Sequence, residues 1–524
     1  MFRRLAWRTL SSRRVHRFST PLTRSWSSAS FHPHFNSTLA QVDLIAPKFP
    51  LKKGEIDVLF APDEFYDTLK QKILSAKSRV FLSALYIGKN QTELVECIDQ
   101  ALSKNPDLNV YILTDALRGT REAPNPCSAS LLVSLVEKHG SRRVQLCMYH
   151  TPNLHGVRKL AIPNRFNEGW GLQHMKLYGF DDEIILSGAN LSTDYFTNRQ
   201  DRYMLFKSPE LTEYYFRLQR AIARISFEVV PSQKSGFALR WPHIYTVPDP
   251  TVDPEGFMKA ATRIVKPMLG PANSEKIIEE VKILKQRQSK EKEEVKDVDM
   301  KDIVTFVYPI SQFTPLLTPH DASTEMPTLQ RIFSMLGTHS FNWTLTAGYF
   351  NIHSDFRDKL LKSKPSTAAT VITAAPEANG FFKSAGVSGL LPQVYSQLAR
   401  NFLQSVLNAR APINLYEWRR GTVNTPNGWS YHAKGLWVSD SKTPESPFLT
   451  VVGSSNYTRR AYSHDLESNA LVVTEDAELK RKLGAEVDNI KQHCTKMSLA
   501  DYDREDRKPD WRQRLFIKTM GEKL

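Results

Sequence analysis

The sequence predicts a duplicated α/β protein in which each half is a mixed β-sheet flanked by helices. Three observations carry this reading. Helix-like and strand-like segments alternate from about residue 50. The same succession of strands returns near residue 342, and a His-x-Lys triplet stands at the matching place in each series, at 174 and 432. The offset between corresponding segments stays near 260 residues from strand to triplet, as expected of a repeated domain.

The first half spans 50–270. Asp63 to Lys77 is helix-like, "RVFLSALYI" (79–87) is strand-like and Glu93 to Ser103 is helix-like again. "NVYILTDA" (109–116) is the next strand, Ser128 to His139 the next helix, and "RRVQLCMYH" (142–150) leads through a long loop to "HMKLYGFDD" (174–182). Residues 274–302 are rich in Lys and Glu with no aromatic residue, which predicts a solvated helix or flexible linker between the halves. The second half, 303–510, repeats the order with "NWTLTAGYF" (342–350), "AATVITAAPE" (368–377), "INLYEW" (413–418) and "HAKGLWVSD" (432–440).

Composition bounds the functions available. Of 524 residues 41% are hydrophobic, enough for two ordinary domains, yet the longest apolar runs, Val80 to Tyr86 and Phe448 to Val452, are too short for a membrane-spanning helix. The formal charge of +15 points to anionic partners. About half of it comes from residues 1–42, which hold seven Arg, many Ser and no acidic residue. Such a segment has the composition of a mitochondrial presequence, with Phe2, Leu5, Ala6 and Leu10 able to line one helix face. The remainder is only mildly basic, and no nucleic-acid partner is expected. Cys97, Cys127, Cys147 and Cys494 show neither CxxC nor Cys/His ligand spacing and are expected as reduced thiols. No Gly-rich phosphate loop followed by Lys-Ser/Thr occurs, so nothing calls for ATP.

A lone His-x-Lys carries little information; the duplicated surroundings do. Each triplet precedes a strand ending in small residues and Asn, "SGAN" with Asn190 and "GSSN" with Asn456. Eleven residues past each Asn stands a carboxylate, Asp201 and Glu467. These residues resemble the signature of the phospholipase D superfamily, His-x-Lys-x4-Asp followed by Gly-Ser-x-Asn, present twice. His174, Lys176, Asp181 and Asn190 match in the first half, with Ser187 and Gly188 exchanged. His432, Lys434, Gly453, Ser454 and Asn456 match in the second, but Ser439 fills the aspartate slot and Asp440 lies one place late. The longer stretch "HMKLYGFDDEIILSGANLSTDYFTNRQDRY", with "NGFFKSAGVSGLLP" (379–392), is similar to the superfamily's mitochondrial members that transfer a phosphatidyl group from CDP-diacylglycerol to glycerol 3-phosphate.

That resemblance implies two phospholipase D-like domains related by a pseudo-twofold axis, with one site at their junction. It implies a phosphatidyl-histidine intermediate on His174, His432 acting as acid and base in turn, and phosphatidylglycerophosphate and CMP as products, the first step toward phosphatidylglycerol and cardiolipin. The chemistry fits the residue types. A neutral imidazole attacks phosphorus best when a carboxylate holds its other nitrogen, and Asp201 and Glu467 are the candidate holders. Lys176 and Lys434 supply positive charge, and Asn190 and Asn456 amide donors, so no metal or cofactor is required in principle. Neither half should work alone.

Arg459 and Arg460 are candidates for the acceptor's phosphate, Arg118 and Arg121 for phosphate recognition or for a plain solvated loop, and His150 and His155 are read as structural. Phe381, Phe382, Val387, Leu390 and Leu391 suit either a membrane-dipping loop or a buried turn. The expected setting is the matrix side of the mitochondrial inner membrane, peripherally attached and in contact with anionic lipid. Within the superfamily a hydrolase or nuclease, or a serine- or cardiolipin-forming transferase, stays open at this point. So does an inactive lipid-binding scaffold, because of the displaced Asp440. The sequence leaves the oligomeric state unread.

Overall fold

The computed structural model describes residues 33–163, 166–242, 246–288, 302–510 and 513–514. In the first half the strands Arg79–Ser83, Asn109–Asp115 and Val144–Tyr149 run parallel, because each is joined to the next through a helix, Thr92–Lys104 and then Ser128–His139. The second half repeats the device with Asn342–Ala347, Ala369–Ala374 and Ile413–Trp418, joined through Ser354–Leu360 and Leu391–Ala409. Beside each parallel trio lies an antiparallel hairpin, Leu177–Phe180 with Glu183–Ser187 and Lys434–Ser439 with Pro447–Gly453. A third antiparallel strand follows in each, Tyr203–Phe206 and Glu467–Thr474. Each half thus forms a nine-stranded mixed sheet.

The faces of both sheets contribute to one central core, in which Leu177, Leu186 and Met204 of the first half share a cluster with Ile372, Trp437 and Val472 of the second. Separate cores lie under the outer helices of each half. A two-stranded parallel pair, Arg199–Gln200 with Ser430–Tyr431, crosses between the halves. Its counterpart across the pseudo-twofold is the single parallel bridge of Gln173 with Leu466.

The chain divides differently from its composition. Of the segment 1–42, residues 1–32 lie outside the described residues, but Pro33–Asp43 is a helix whose Phe35, Leu39 and Val42 are buried in the core of the second half. Their i, i+4, i+7 spacing is an ordinary amphipathic stripe hidden in acid-free surroundings. Phe49–Lys52, at the expected start of the first half, pairs antiparallel with Ile303–Gln312 and so extends the second sheet; the first sheet begins at Ile56–Leu59. The charged segment is also part docked. Ala272–Gln288 is a helix that buries Ile277 and Val281, and its Glu280 and Lys285 pair with Arg217 at 2.7 Å and Glu210 at 3.0 Å on the helix Pro209–Ala223. Residues 289–301 lie outside the described part. All four cysteines are free thiols.

Candidate active site

Each His-x-Lys triplet enters its sheet at the start of the hairpin. Side chains alternate along an extended chain, so Met175 and Ala433 point into the core while the flanking His and Lys share the opposite face. That face meets the other half. Parallel pairing across the junction brings the residue before each His beside the residue before the opposite carboxylate. The His174 N–H consequently donates to the Leu466 carbonyl, and the His432 N–H to the Gln200 carbonyl, both at 2.9 Å.

The carboxylates are therefore exchanged between halves. Nδ1 of His174 lies 2.8 Å from Oε1 of Glu467, and Nδ1 of His432 lies 2.7 Å from Oδ2 of Asp201. The remaining oxygens are held as well: Ser454 Oγ donates to Oε2 of Glu467, and the Arg202 N–H donates to Oδ1 of Asp201 at 2.9 Å. A proton on each Nδ1 leaves Nε2 with its lone pair. Gly188 is required by this closeness, since a Cβ there would lie 2.5 Å from Oδ1 of Asp201 and 3.0 Å from Cδ of Lys434.

Lys176 donates to the His174 carbonyl at 2.6 Å, while Nζ of Lys434 lies over the His432 ring, 2.5 Å from Nδ1 and 2.9 Å from Nε2. Asn190 accepts from the Leu85 N–H at 3.1 Å and points its amide at Tyr195 Oη, 3.2 Å away. Tyr195 Oη in turn lies 3.3 Å from Nε2 of His432. Oδ1 of Asn456 is buried with no hydrogen-bond partner among the described residues, an acceptor left to meet a donor on a bound group.

Burial governs the electrostatics. It pushes Asp201 up to about 6 and Glu467 up to about 7, against the opposing pull of the lysines. Desolvation lowers Lys434 to about 8 and carries Lys176 well below the usual lysine range. Both imidazoles are held far below the ordinary histidine value, first by burial and then by the neighbouring lysine, so each ring is neutral. Two neutral imidazoles with oriented Nδ1–H groups, two lysines and two carboxamides converge on one junction. This set can attack, surround and protonate a phosphodiester.

Asp181 stands apart from that set. It occupies the hairpin turn at the far end of its strand, on the order of 20 Å of chain from His174, where it accepts from the N–H groups of Lys77 (2.8 Å), Ser78 (2.8 Å) and Arg79 (3.0 Å). Burial works to raise its pKa, but those donors overcome it and hold the carboxyl below its usual value. Asp181, grouped with the catalytic His174 and Lys176 by the signature, is thus placed by the structure as a buttress of the turn, its carboxylate spent on backbone N–H groups. Asp440 occupies the corresponding turn and accepts from the Lys442 N–H at 2.8 Å, far from the site like its counterpart.

Among the arginines, Arg460 lies at the junction, donating to the Glu168 carbonyl at 2.9 Å and pairing with Asp465 at 3.2 Å, while Arg459 is exposed. Arg121 pairs with Glu168 at 3.0 Å. Arg118 stacks on Tyr86, 3.9 Å from its ring centre, and pairs with Glu122 at 3.2 Å. Arg118 also lines a polar cleft of about 650 Å³ with Tyr86, Lys89, Ser192, Arg199 and, from the second half, Ser430. Two of the cleft's lining residues, Arg199 and Ser430, are paired across the junction and stand two places before Asp201 and His432.

Sequence reasoning missed Tyr195, Arg199 and Tyr349. Arg199 pairs with Asp194, donates to Ser430 Oγ at 2.9 Å and lies 4.3 Å from the Tyr195 ring centre. Tyr349 meets His432 edge-on at 5.5 Å. At the matching offsets past Asn456 the second half has Ala461 and Asp465, so the duplication that exposed the histidines hides this pair.

No family model matches the chain. A CDP-diacylglycerol–glycerol-3-phosphate 3-phosphatidyltransferase of Saccharomyces cerevisiae is 49% identical over 462 residues, covering 87% of this chain and 85% of that protein. The protein of the same name from Schizosaccharomyces pombe is 41% identical over 491 residues, 89% of this chain and 94% of its own. A Gallus gallus relative whose name adds "mitochondrial" is 34% identical over 467 residues, 85% and 79% of the two chains. Among solved structures, phosphatidylserine synthase of Haemophilus influenzae superposes with a TM-score of 0.63 at 18% identity, over 93% of this chain and 98% of that one, which shows the phospholipase D-like fold alone.

Proposed function

The chain belongs to the family of CDP-diacylglycerol–glycerol-3-phosphate 3-phosphatidyltransferases, enzymes of phosphatidylglycerophosphate synthesis, and from that premise we propose how its residues divide the reaction. The observation that carries the proposal is the exchanged pairing of each histidine with the other half's carboxylate. His174 is the nucleophile. Among the described residues its Nε2 takes no hydrogen bond, whereas Nε2 of His432 is met by Tyr195 Oη and the whole His432 ring is covered by Lys434.

In the first step Nε2 of His174 forms a bond to the phosphatidyl phosphorus as the bond to the CMP oxygen breaks. Glu467 stabilises the imidazolium that develops, and Lys176, Lys434, Asn190 and Asn456 meet the phosphoryl oxygens. CMP departs opposite the attacking nitrogen, on the His432 side, and glycerol 3-phosphate arrives by the same route. His432 takes the proton of its attacking hydroxyl, Asp201 steadies the cation formed, and the P–N bond to His174 breaks to release the product. The cleft holding Arg118, Lys89 and Arg199 receives the phosphate that both CMP and glycerol 3-phosphate carry. Arg460, near His174, orders the junction.

Trapping with donor labelled in its acyl chains tests the assignment. His432→Ala is expected to accumulate labelled protein and His174→Ala none; label kept only by His174→Ala would reverse the two roles.

The presequence-like composition of residues 1–42 and the mitochondrial names of animal relatives support a mitochondrial location. The matrix face of the inner membrane, with peripheral attachment, is the finer reading. Among the described residues no helix is long and apolar enough to cross a membrane, so a diacyl donor has to be met from the surface.

A further inference from the structure

A helix of six residues lacks the length to persist in water, because nucleation costs more than its few hydrogen bonds return; such helices are kept by packing. Gly156–Ala161 has no buried residue. Val157 is 80% exposed and Leu160 88%, and with Ala161 they fall on one face at i, i+3 and i+4. Phe166, just downstream, is 51% exposed. Three of the ten large apolar side chains left exposed among the described residues thus cluster between 157 and 166. Arg158 and Lys159 are exposed beside them.

The position of this segment ties it to the site. It follows the strand Val144–Tyr149, whose end lies on the side of the sheet where Asp115 accepts from the Gln173 N–H at 2.9 Å, next to His174. From the helix the chain passes through Asn167–Trp170, where Glu168 binds Arg121 and Arg460, and then enters the His174 strand. In the second half Gly386–Leu390, which likewise has no buried residue and leaves Val387 41% exposed, follows the strand Ala369–Ala374 at the corresponding end.

We propose that Gly156–Ala161 and Phe166 form a docking element that inserts into an anionic lipid bilayer and seats the mouth of the site on it. The occupant is identified by chemistry. Val157, Leu160 and Phe166 suit the acyl boundary, and Arg158 and Lys159 suit the phosphate layer above it. The inference rests on the reading of the chain as an enzyme with a diacyl donor, and it explains how that donor reaches a buried histidine pair without leaving its membrane.

Vesicle sedimentation tests it, using phosphatidylcholine vesicles with and without phosphatidylglycerol. V157S/L160S is expected to bind at least about tenfold more weakly than wild type, and V157W/L160W more tightly. R158Q/K159Q should lose only the preference for vesicles containing phosphatidylglycerol. Turnover of short-chain, water-dispersed CDP-diacylglycerol should stay within about twofold of wild type in every variant, since none of these side chains is buried. Vesicle binding by V157S/L160S equal to wild type would overturn the proposal. So would a wild-type dimer, seen by sedimentation velocity, that V157S/L160S disperses without change in vesicle binding. Absence of phosphatidylglycerophosphate from wild type with the short-chain donor would instead defeat the enzymatic reading, and the vesicle measurement would stand apart from it.

Discussion

Replacing Asp201 by Asn substitutes an amide of nearly the same shape but removes the charge that holds Nδ1–H of His432 and stabilises its cation. The expected result is a fall in kcat of about 10²–10⁴-fold with little change in unfolding midpoint, and Glu467→Gln should behave alike through His174. Asp181→Ala should do the reverse. Freeing three backbone N–H groups is expected to cost about 1–3 kcal/mol of stability, read by urea denaturation, while kcat is retained. The pH profile of kcat/KM follows from the same groups. Glu467 must be ionised to hold the imidazole, so activity rises with pH through its value of about 7; Lys434 must stay charged, so activity falls as pH passes about 8. A narrow bell between those limits is the expected outcome, and a profile flat from pH 6 to 9 would contradict it. The histidines, lysines, asparagines and both carboxylates were legible in the sequence because the same spacing occurs twice. Tyr195 and Arg199 were not, because the repeat breaks there: at the matching offsets past Asn456 the second half carries Ala461 and Asp465, so no doubled spacing marks the pair.

Helices and strands were legible for the corresponding physical reason, namely period and punctuation within each segment. The parallel trios, and the connecting helices of the first half, lie where alternation put them. Partnership was not legible, since pairing is a tertiary choice: nothing in the residues of Phe49–Lys52 assigns that strand to the second sheet rather than the first. Composition also misled over Pro33–Asp43, where scarcity of charge masked three core side chains, and over Ala272–Gln288, where abundance of charge masked two. The helix Pro33–Asp43 gives a direct test. Phe35 packs edge-on against Phe448 at 5.0 Å, and Phe35→Ala is expected to destabilise the protein by about 3–5 kcal/mol in urea titration. N-terminal sequencing of the mature protein should accordingly place the presequence cut upstream of Phe35.

At the scale of the molecule, Arg202 clasps the halves together. From the first half it reaches Glu486 through two 2.8 Å contacts, donates to the Val451 carbonyl at 2.6 Å and stacks 3.9 Å from the Trp437 ring centre. Both partners are almost fully buried, so Arg202→Met should cost about 3–5 kcal/mol by stranding a carboxylate, and adding Glu486→Gln should restore part of that. Since Arg202 adjoins Asp201, the single variant should also lose activity. The strand Phe49–Lys52 has a consequence for biogenesis. The portion of the chain that a ribosome completes early, and that an import channel would admit early, is an edge of the sheet whose remaining strands emerge last. A nascent or half-translocated chain therefore has no wall to lay that ribbon against, and a product arrested after residue 288 would keep an orphaned sticky edge for chaperones and proteases to find.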